Sequence, residues 1–377
     1  MKIIADENMP NVVNLFSDLG EVTLVNGRTL TADQLVDTDV LLVRSVTKVN
    51  EALLSGTSVK YVGSATIGTD HIDTEYLNSQ GIGFNSAPGC NADAVADYVF
   101  SALAYLYMTK GVRWLGARIG VVGQGNVGRC VAARFVALGC EVVAYDPFLQ
   151  KSVPDVTLTS LKDVMDSDVI CLHAPLTKTG PYPSFDMIND EYVAKLKAGQ
   201  TIVSAGRGGV INEQALIKQF YALEGQLNLA LDVWLGEPHP NMELAALCDI
   251  ATPHIAGYSK QGREKGTWYI YQSLCQFFDI SAKSSFADAV SQGSICELKM
   301  NSSLDRDEAL ARAIQACFDV ARDSARFKHV MSSFAKDKGF DWLRKNYVER
   351  DEFNTTIVKH TKFAHDLAAL GFLQKSH

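Results

Sequence analysis

Two rhythms of apolar and polar residues alternate along the first ninety positions. Short apolar runs at Lys2–Ala5, Val22–Val25, Val40–Val43, Tyr61–Ser64 and Ile82–Asn85 have the length and β-branched content of strands, and short helical patterns or turns separate them. Strands and helices in that order predict a parallel sheet with helices packed on it. From Asn91 to Thr109 runs the longest helical pattern in the chain, with Asn91 or Asp93 placed to cap it. It is apolar nearly all round (Ala94, Val95, Tyr98, Val99, Leu103, Leu106), which predicts burial between two bodies and a bridge from one domain to the next.

A second series of strands follows, at Ile119–Val122, Val142–Tyr145, Val169–His173, Thr201–Ser204, Leu227–Val233 and Ile250–Thr252, six in all. Gly262–Phe278 then reads as a helix returning to pack on the first domain. From about Ala282 the pattern changes. Asp307–Phe327 predicts one strong helix, and the stretch from Tyr347 to Val358 runs from polar residues into a strand, so a small third α/β module is expected. The 377 residues exceed one ordinary core. The expected division is 1–92 with 255–283, then 93–254, then 284–377.

Composition narrows the function. With 47% hydrophobic and 21% charged residues the chain reads as a soluble globular protein, and a net charge of -8 argues against general binding to nucleic acid or membrane surfaces. An anionic small molecule would therefore need locally placed cations. The eight cysteines form no C-x-x-C pair and no metal-ligand spacing, so no metal is expected; most lie in apolar runs, as reduced core residues of a cytoplasmic protein do. The N-terminus reads as a first strand and not as a signal peptide, and no apolar run approaches the length of a membrane span.

The sharpest chemical signal is Arg118-Ile-Gly-Val-Val-Gly-Gln-Gly-Asn-Val-Gly128. A strand leads into Gly123, Gly125 and Gly128, spaced G-x-G-x-x-G, and Val127, Val131, Phe135 and Leu138 continue at helical spacing. In such a loop the first glycine makes the turn, the second lets backbone approach a pyrophosphate, and the third lets helix pack on strand. The pyrophosphate would sit at the helix N-terminus. Asp146, ending the next strand, stands where a carboxylate takes ribose hydroxyls and repels a 2′-phosphate, which favours NAD over NADP.

Three charged groups follow, each just past a predicted strand. Arg207 lies in Ser204-Ala-Gly-Arg-Gly-Gly209, where flanking glycines leave a planar fork open for a carboxylate. The bland alternative, a surface arginine in a tight turn, is the weaker reading. His254, in Thr252-Pro-His-Ile-Ala-Gly257, is the side-chain type suited to proton transfer near neutrality, whereas His71, His173, His329 and His360 have no comparable setting. Glu237, before Pro238, supplies a carboxylate that can fix an imidazole tautomer and stabilise its protonated form. Together they fit oxidation of a hydroxyl beside a carboxylate, with His254 as base, Glu237 as its support and Arg207 as the carboxylate clamp.

The chain resembles the D-isomer-specific 2-hydroxyacid dehydrogenases. The resemblance is carried by Val43-Arg-Ser45, Gly68-Thr-Asp-His-Ile-Asp73, the Gly123–Gly128 loop with Asp146, His173-Ala-Pro-Leu-Thr177, Arg207-Gly208, Asp232 with Glu237-Pro238, and Thr252-Pro-His-Ile-Ala-Gly257. It implies a Rossmann-type nucleotide-binding domain inserted into a flavodoxin-like substrate domain, a small C-terminal dimerisation domain, a homodimer, and the triad Arg207, Glu237 and His254. Cofactor contacts carry over to Asn126, Val127, Asp146, Pro175, Asp232 and Gly257, and substrate contacts to Ser45, Thr66 and Tyr258. Ser204 departs from the family, which usually has Asn there. A narrower likeness to one branch extends over the whole chain through Ile3-Ala-Asp-Glu-Asn-Met-Pro10, Gly180-Pro-Tyr182, Tyr258 and Leu343-Arg-Lys-Asn-Tyr-Val-Glu-Arg350. It implies a phosphorylated 2-hydroxy acid, hence a second cationic subsite, for which Arg44 is the first candidate beside Tyr258; Arg344 and Arg350 stand as further candidates or as solvated surface charges. Alternatives are a relative acting on 3-phosphoglycerate or glycerate, and a non-enzymatic scaffold that binds NAD. Formate chemistry is disfavoured, because that branch has Gln where Glu237 stands.

Overall fold

The computed structural model describes residues 1–149, 154–333, 336–359 and 362–374. They form two compact units, Met1–Asn91 with Ser259–Gln292 and Ala92–Tyr258 with Gly293–His377. Among the described residues no helix is long and apolar enough to cross a membrane.

The first unit is built on β1 (Lys2–Asp6), β2 (Glu21–Val25), β3 (Val40–Val43), β4 (Tyr61–Ser64) and β5 (Gly83–Ser86). All are parallel, in the order β2-β1-β3-β4-β5. This is the flavodoxin-like order, and each strand lies within a residue or two of its expected position. Alternation decides which face each side chain covers. Ile3, Val40, Leu42 and Tyr61 point into one core with Ile270, Tyr271 and Leu274 of the helix Lys260–Phe277. Ile4, Leu41, Val43 and Val62 point into the opposite core. Burial on both faces is what near-continuous apolar runs require of a parallel sheet.

The second unit holds a seven-stranded parallel sheet: β6 (Arg118–Val122), β7 (Glu141–Tyr145), β8 (Thr157–Leu158), β9 (Val169–Leu172), β10 (Thr201–Ser204), β11 (Asn228–Leu231) and β12 (Ile250–Ala251), ordered β12-β11-β10-β9-β6-β7-β8. The sheet has one strand more than the six expected: the two-residue β8 pairs with Val143 and Ala144 and is too short to carry a pattern. Ile119, Val121, Val169, Cys171 and Val203 face one core; Val122, Ile170, Leu172, Ile202 and Leu229 face the other.

The C-terminal segment is packed into this same unit, where the pattern had placed 284–377 in a module of its own. Leu310, Ile314, Phe318 and Phe353 join the first of these cores, and Phe327, Met331, Phe340 and Leu343 join the second. Its own strands, β13 (Glu297–Lys299) and β14 (Ile357–Lys359), make only a two-stranded sheet, too small to bury a core alone. The long helix Ala92–Lys110 owes its all-round burial to this arrangement. It packs between the helices Asn126–Ala137 and Arg306–Cys317 of its own unit. Inside it, Asp97 is fully buried against Arg134 at 2.6 Å. The single helix expected over Asp307–Phe327 is instead two, Arg306–Cys317 and Val320–Ser332. Phe318 turns extended, Asp319 caps the second helix, and the buried Ser101 hydroxyl donates to the Phe318 carbonyl and accepts from the Val320 amide.

Candidate active site

The glycine loop is shaped by contacts that exclude any side chain. Gly123 has φ 88°, and its amide donates to the Tyr145 carbonyl at 2.9 Å. A Cβ on Gly128 would lie 1.9 Å from the Gly123 carbonyl oxygen, so the helix can approach the loop only with glycine there. Gly125 is the N-cap of Asn126–Ala137, with no capping side chain, and a Cβ there would meet open space. The free amides of that helix end are therefore open to an anion. Gln124 is 1% exposed, yet both its side-chain polar atoms lack a hydrogen-bond partner, as do both ring nitrogens of His173 beside the loop. Buried polar groups left unpaired are costly, so this cradle fits a polar cofactor. Asp146 lies at the end of β7, its carboxylate accepting from the Gln124 amide at 2.9 Å and the Phe148 amide at 3.1 Å. Asn126 is exposed and Val127 half-buried in the first turn of the helix Asn126–Ala137, while exposed Pro175 and half-buried Gly257 lie on loops past β9 and β12.

Arg207 follows β10 and is half-buried, its guanidinium donating to the Gly206 carbonyl at 2.9 Å. Its flanking glycines are required by packing: a Cβ on Gly206 would approach the Ala174 carbonyl at 2.9 Å, and one on Gly208 the Trp234 carbonyl at 1.9 Å. Glu237 and His254 come together as the sequence suggested, with Nδ1 of His254 2.8 Å from Oε2 of Glu237. Burial pushes the Glu237 carboxyl up, but the hydrogen bond and charge of His254, the Trp234 amide and the charge of Arg344 outweigh it and hold it below its ordinary range. An ionised carboxylate can only accept. Nδ1 of His254 therefore donates, and Nε2 keeps its lone pair for a substrate proton.

His254 sits at φ 58°, a strained conformation for a residue with a side chain. What holds it is Asp232, 1% exposed after β11. The Asp232 carbonyl accepts from the His254 amide at 2.7 Å; its Oδ1 accepts from the Thr252 hydroxyl at 2.6 Å and the Ile255 amide at 2.8 Å, and its Oδ2 from the Ala256 amide at 2.8 Å. Burial raises the Asp232 carboxyl above its usual range even so. Tyr98 bonds the Thr252 hydroxyl at 2.9 Å, and the Trp234 indole donates to the Thr252 carbonyl at 2.8 Å. The cofactor contact expected of Asp232 is thus joined by a role as organiser of the histidine loop. Sequence reasoning placed Thr252 in the histidine motif without giving it a role and missed Tyr98 and Trp234, whose only signal was a polar atom inside an otherwise apolar run.

Tyr258 closes the loop, its amide donating to the Ile255 carbonyl at 2.8 Å, and its ring lies 5.7 Å from Tyr347 and 5.6 Å from the Arg344 guanidinium. Neither C-terminal arginine is a solvated surface charge. Arg350 is 5% exposed, donates to the Ala94 and Ala256 carbonyls at 2.7 and 2.8 Å, and stacks 4.0 Å over Phe318. In the first unit the expected substrate contacts lie past neighbouring strands. Arg44 and exposed Ser45 follow β3, with Arg44 Nη1 3.5 Å from the Asn8 carbonyl. Thr66 follows β4, linked to Ser64 at 2.7 Å, and Ser64 to His71 at 2.9 Å.

Sheet, glycine cradle and histidine–carboxylate pair with its neighbouring arginine define a nicotinamide-dependent hydroxyacid oxidoreductase. Residues 106–256 match the family described as D-isomer specific 2-hydroxyacid dehydrogenase, NAD binding domain, and residues 290–371 match a domain of unknown function (DUF3410). Among solved structures, D-lactate dehydrogenase from Aquifex aeolicus, complexed with NAD and lactic acid, superposes with TM-score 0.60 at 23% identity, covering 74% of this chain and 96% of that one. Erythronate-4-phosphate dehydrogenase of Marinomonas sp. (strain MWYL1) is 57% identical over 95% of this chain and 94% of its own, and that of Tolumonas auensis 41% over 99% of both. The chain belongs to the erythronate-4-phosphate dehydrogenases, a branch of the D-isomer-specific 2-hydroxyacid dehydrogenases, and is an NAD-dependent oxidoreductase.

Proposed function

We propose that this chain oxidises the C2 hydroxyl of 4-phospho-D-erythronate with NAD, giving (R)-3-hydroxy-2-oxo-4-phosphobutanoate, in the cytoplasmic synthesis of pyridoxal 5′-phosphate. The observation that carries this reading is the 2.8 Å pairing of His254 with Glu237, in the same unit as Arg207 and the glycine cradle. NAD held in the glycine cradle would supply the acceptor for the C2 hydride. His254 takes the hydroxyl proton at Nε2 as general base. Glu237 stabilises the imidazolium that results, and Arg207 holds the C1 carboxylate and polarises the oxygen as it becomes a carbonyl. Gly123, Gly125 and Gly128, with Asn126, Val127, Asp146, Pro175, Asp232 and Gly257, hold the cofactor; Arg44, Ser45, Thr66 and Tyr258 bind substrate. Purified protein with NAD, and a 2-keto acid to recycle NADH, should turn over 4-phospho-D-erythronate in preference to glycerate, lactate and 3-phosphoglycerate. Preference for another of these acids would move the substrate assignment, and binding of NAD without turnover of any would favour the scaffold.

A homodimer is part of the same proposal, because closed two-fold pairs are the commonest oligomers and the C-terminal segment exposes Trp342, Val348 and Leu373. Removing that segment would also take Leu310, Ile314 and Phe327 from the core, so point changes test it better. In sedimentation the parent chain should run as a dimer and Trp342→Asp with Val348→Asp as a folded monomer; a parent monomer would refute the proposal.

A further inference from the structure

The substrate reading requires two cationic subsites, one for each end of a molecule carrying a carboxylate and a phosphate. Arg207 serves the carboxylate. In the same unit a second guanidinium stands beside the site, and among the described residues it forms no ion pair. Arg344 lies on the helix Lys336–Lys345, anchored by Phe340 and Leu343, which are 1% and 3% exposed in the core. That anchoring fixes its guanidinium 5.6 Å from the ring centre of Tyr258 and 6.0 Å from that of Phe340. Its Nε is buried with no hydrogen-bond partner, and among the described residues no carboxylate lies within ion-pair distance of it. Glu237, the nearest acid to feel its charge, already spends its oxygens on His254 and the Trp234 amide. Burial works against the Arg344 charge, but Tyr258 and Glu237 outweigh it and keep the group cationic.

A partly buried cation without an anion is costly. Stacking on two aromatic rings and the polar contact with the Tyr258 side chain offset some of that cost, and the buried Nε stays unpaired. Arg350 differs: its guanidinium is enclosed by core, bonded to two carbonyls and set 3.9 Å from Asp97. It bolts the C-terminal segment to the Ala94 and Ala256 backbone and is closed to a ligand.

We propose that Arg344 is a ligand for the phosphate end of the substrate, so that the segment matched only as a domain of unknown function supplies an active-site residue and sets specificity for a phosphorylated acid. The proposal rests on the substrate reading above. A guanidinium engages a phosphate dianion through two parallel N–H donors. Tyr258, directly after the histidine loop, serves as the platform that aims it.

The test compares 4-phospho-D-erythronate with unphosphorylated D-erythronate in the parent protein, Arg344→Gln and Arg344→Lys, with inorganic phosphate as a competing probe. Losing one charge-assisted contact should raise KM for the phosphorylated acid about 10- to 100-fold in Arg344→Gln. KM for D-erythronate and the Kd for NAD should stay within about threefold, the scale left when no charged contact is lost. Arg344→Lys should recover part of the loss, and competitive inhibition by inorganic phosphate should weaken in parallel. If both acids are affected equally, or neither is, Arg344 is a structural stacking residue and the inference fails. Should Arg344→Gln not fold, Arg344→Lys keeps charge and stem, and an unchanged preference for the phosphorylated acid together with unchanged phosphate inhibition overturns the inference. A parent enzyme with no preference for the phosphorylated acid overturns the substrate reading instead, independently of any variant.

Discussion

Replacing Glu237 by Gln changes one charge and almost no volume. Its effect can be worked from two contacts: Oε2 takes the Nδ1 proton of His254 at 2.8 Å, and Oε1 takes the Trp234 amide at 3.0 Å. The Gln oxygen will keep the Trp234 amide, because that donor cannot turn. The Gln amide nitrogen then faces Nδ1 and donates to it, which places the imidazole proton on Nε2 and removes the lone pair that takes the substrate proton. The lost charge-assisted bond is worth about 1.5–3 kcal/mol, and the neutral bond that locks the wrong tautomer about 1–1.5 kcal/mol. Both partners are about a quarter exposed, so the lower half of the Coulomb range applies. The sum, about 2.5–3.7 kcal/mol, lies almost wholly in the transition state, where the imidazolium forms, and predicts a kcat lower by roughly 70- to 500-fold. A single-turnover measurement of NADH formation reads the chemical step directly, and titration with NAD checks that the cofactor site is intact. A folded Glu237→Gln protein with a rate within about fivefold of the parent would refute the tautomer argument, because even one charged bond is worth more.

Other consequences follow from the same geometry. Gly128→Ala would force a methyl to within 1.9 Å of the Gly123 carbonyl; the loop must move, with a stability loss of about 1–3 kcal/mol by urea unfolding and a weakened Kd for NAD. Asp146→Asn keeps one oxygen for the Gln124 or Phe148 amide but removes the charge that repels a 2′-phosphate, so the kcat/KM ratio of NAD to NADP should fall about 10-fold or more; an unchanged ratio places the discrimination elsewhere. Burial lowers His173 to about 4. Its neutral form is therefore favoured by folding, and that stability is complete above about pH 6.5 and lost as pH falls towards 4. Chemical denaturation at pH 7 and pH 4.5 should show the parent losing about 2–3 kcal/mol more than His173→Asn; equal losses would mean the ring is hydrated.

Apart from the two-residue β8, the strands of both sheets were legible because a parallel sheet buried on both faces demands near-continuous apolar runs. The triad was legible for a related reason: in such sheets ligands meet the C-terminal strand ends, so charged residues just past Ser204, Leu231 and Ala251 stand out. What stayed hidden depended on distant partners. The break at Phe318 is held by Ser101, more than two hundred residues away in sequence. The C-terminal helices look amphipathic enough to form a module, but only the fold shows that Leu310 and Phe327 complete the cores of the nucleotide-binding unit. Arg350 reads as a surface charge in a polar run, and is buried because the carbonyls of Ala94 and Ala256 need a donor there. Asp232 was legible as a functional acid, but its bonds to Thr252, Ile255 and Ala256 were not, since they depend on the curl of a loop some twenty residues on.

The central claim is that this chain removes a hydride from C2 of 4-phospho-D-erythronate while His254 takes the hydroxyl proton. The most direct measurement is a single turnover of substrate carrying deuterium at C2, with the parent protein and with His254→Ala, each shown beforehand to bind NAD. The account predicts NADH that contains the deuterium, formed more slowly than with protiated substrate, and loss of that reaction in His254→Ala with NAD binding intact. NADH free of deuterium, or undiminished turnover in His254→Ala, would contradict it.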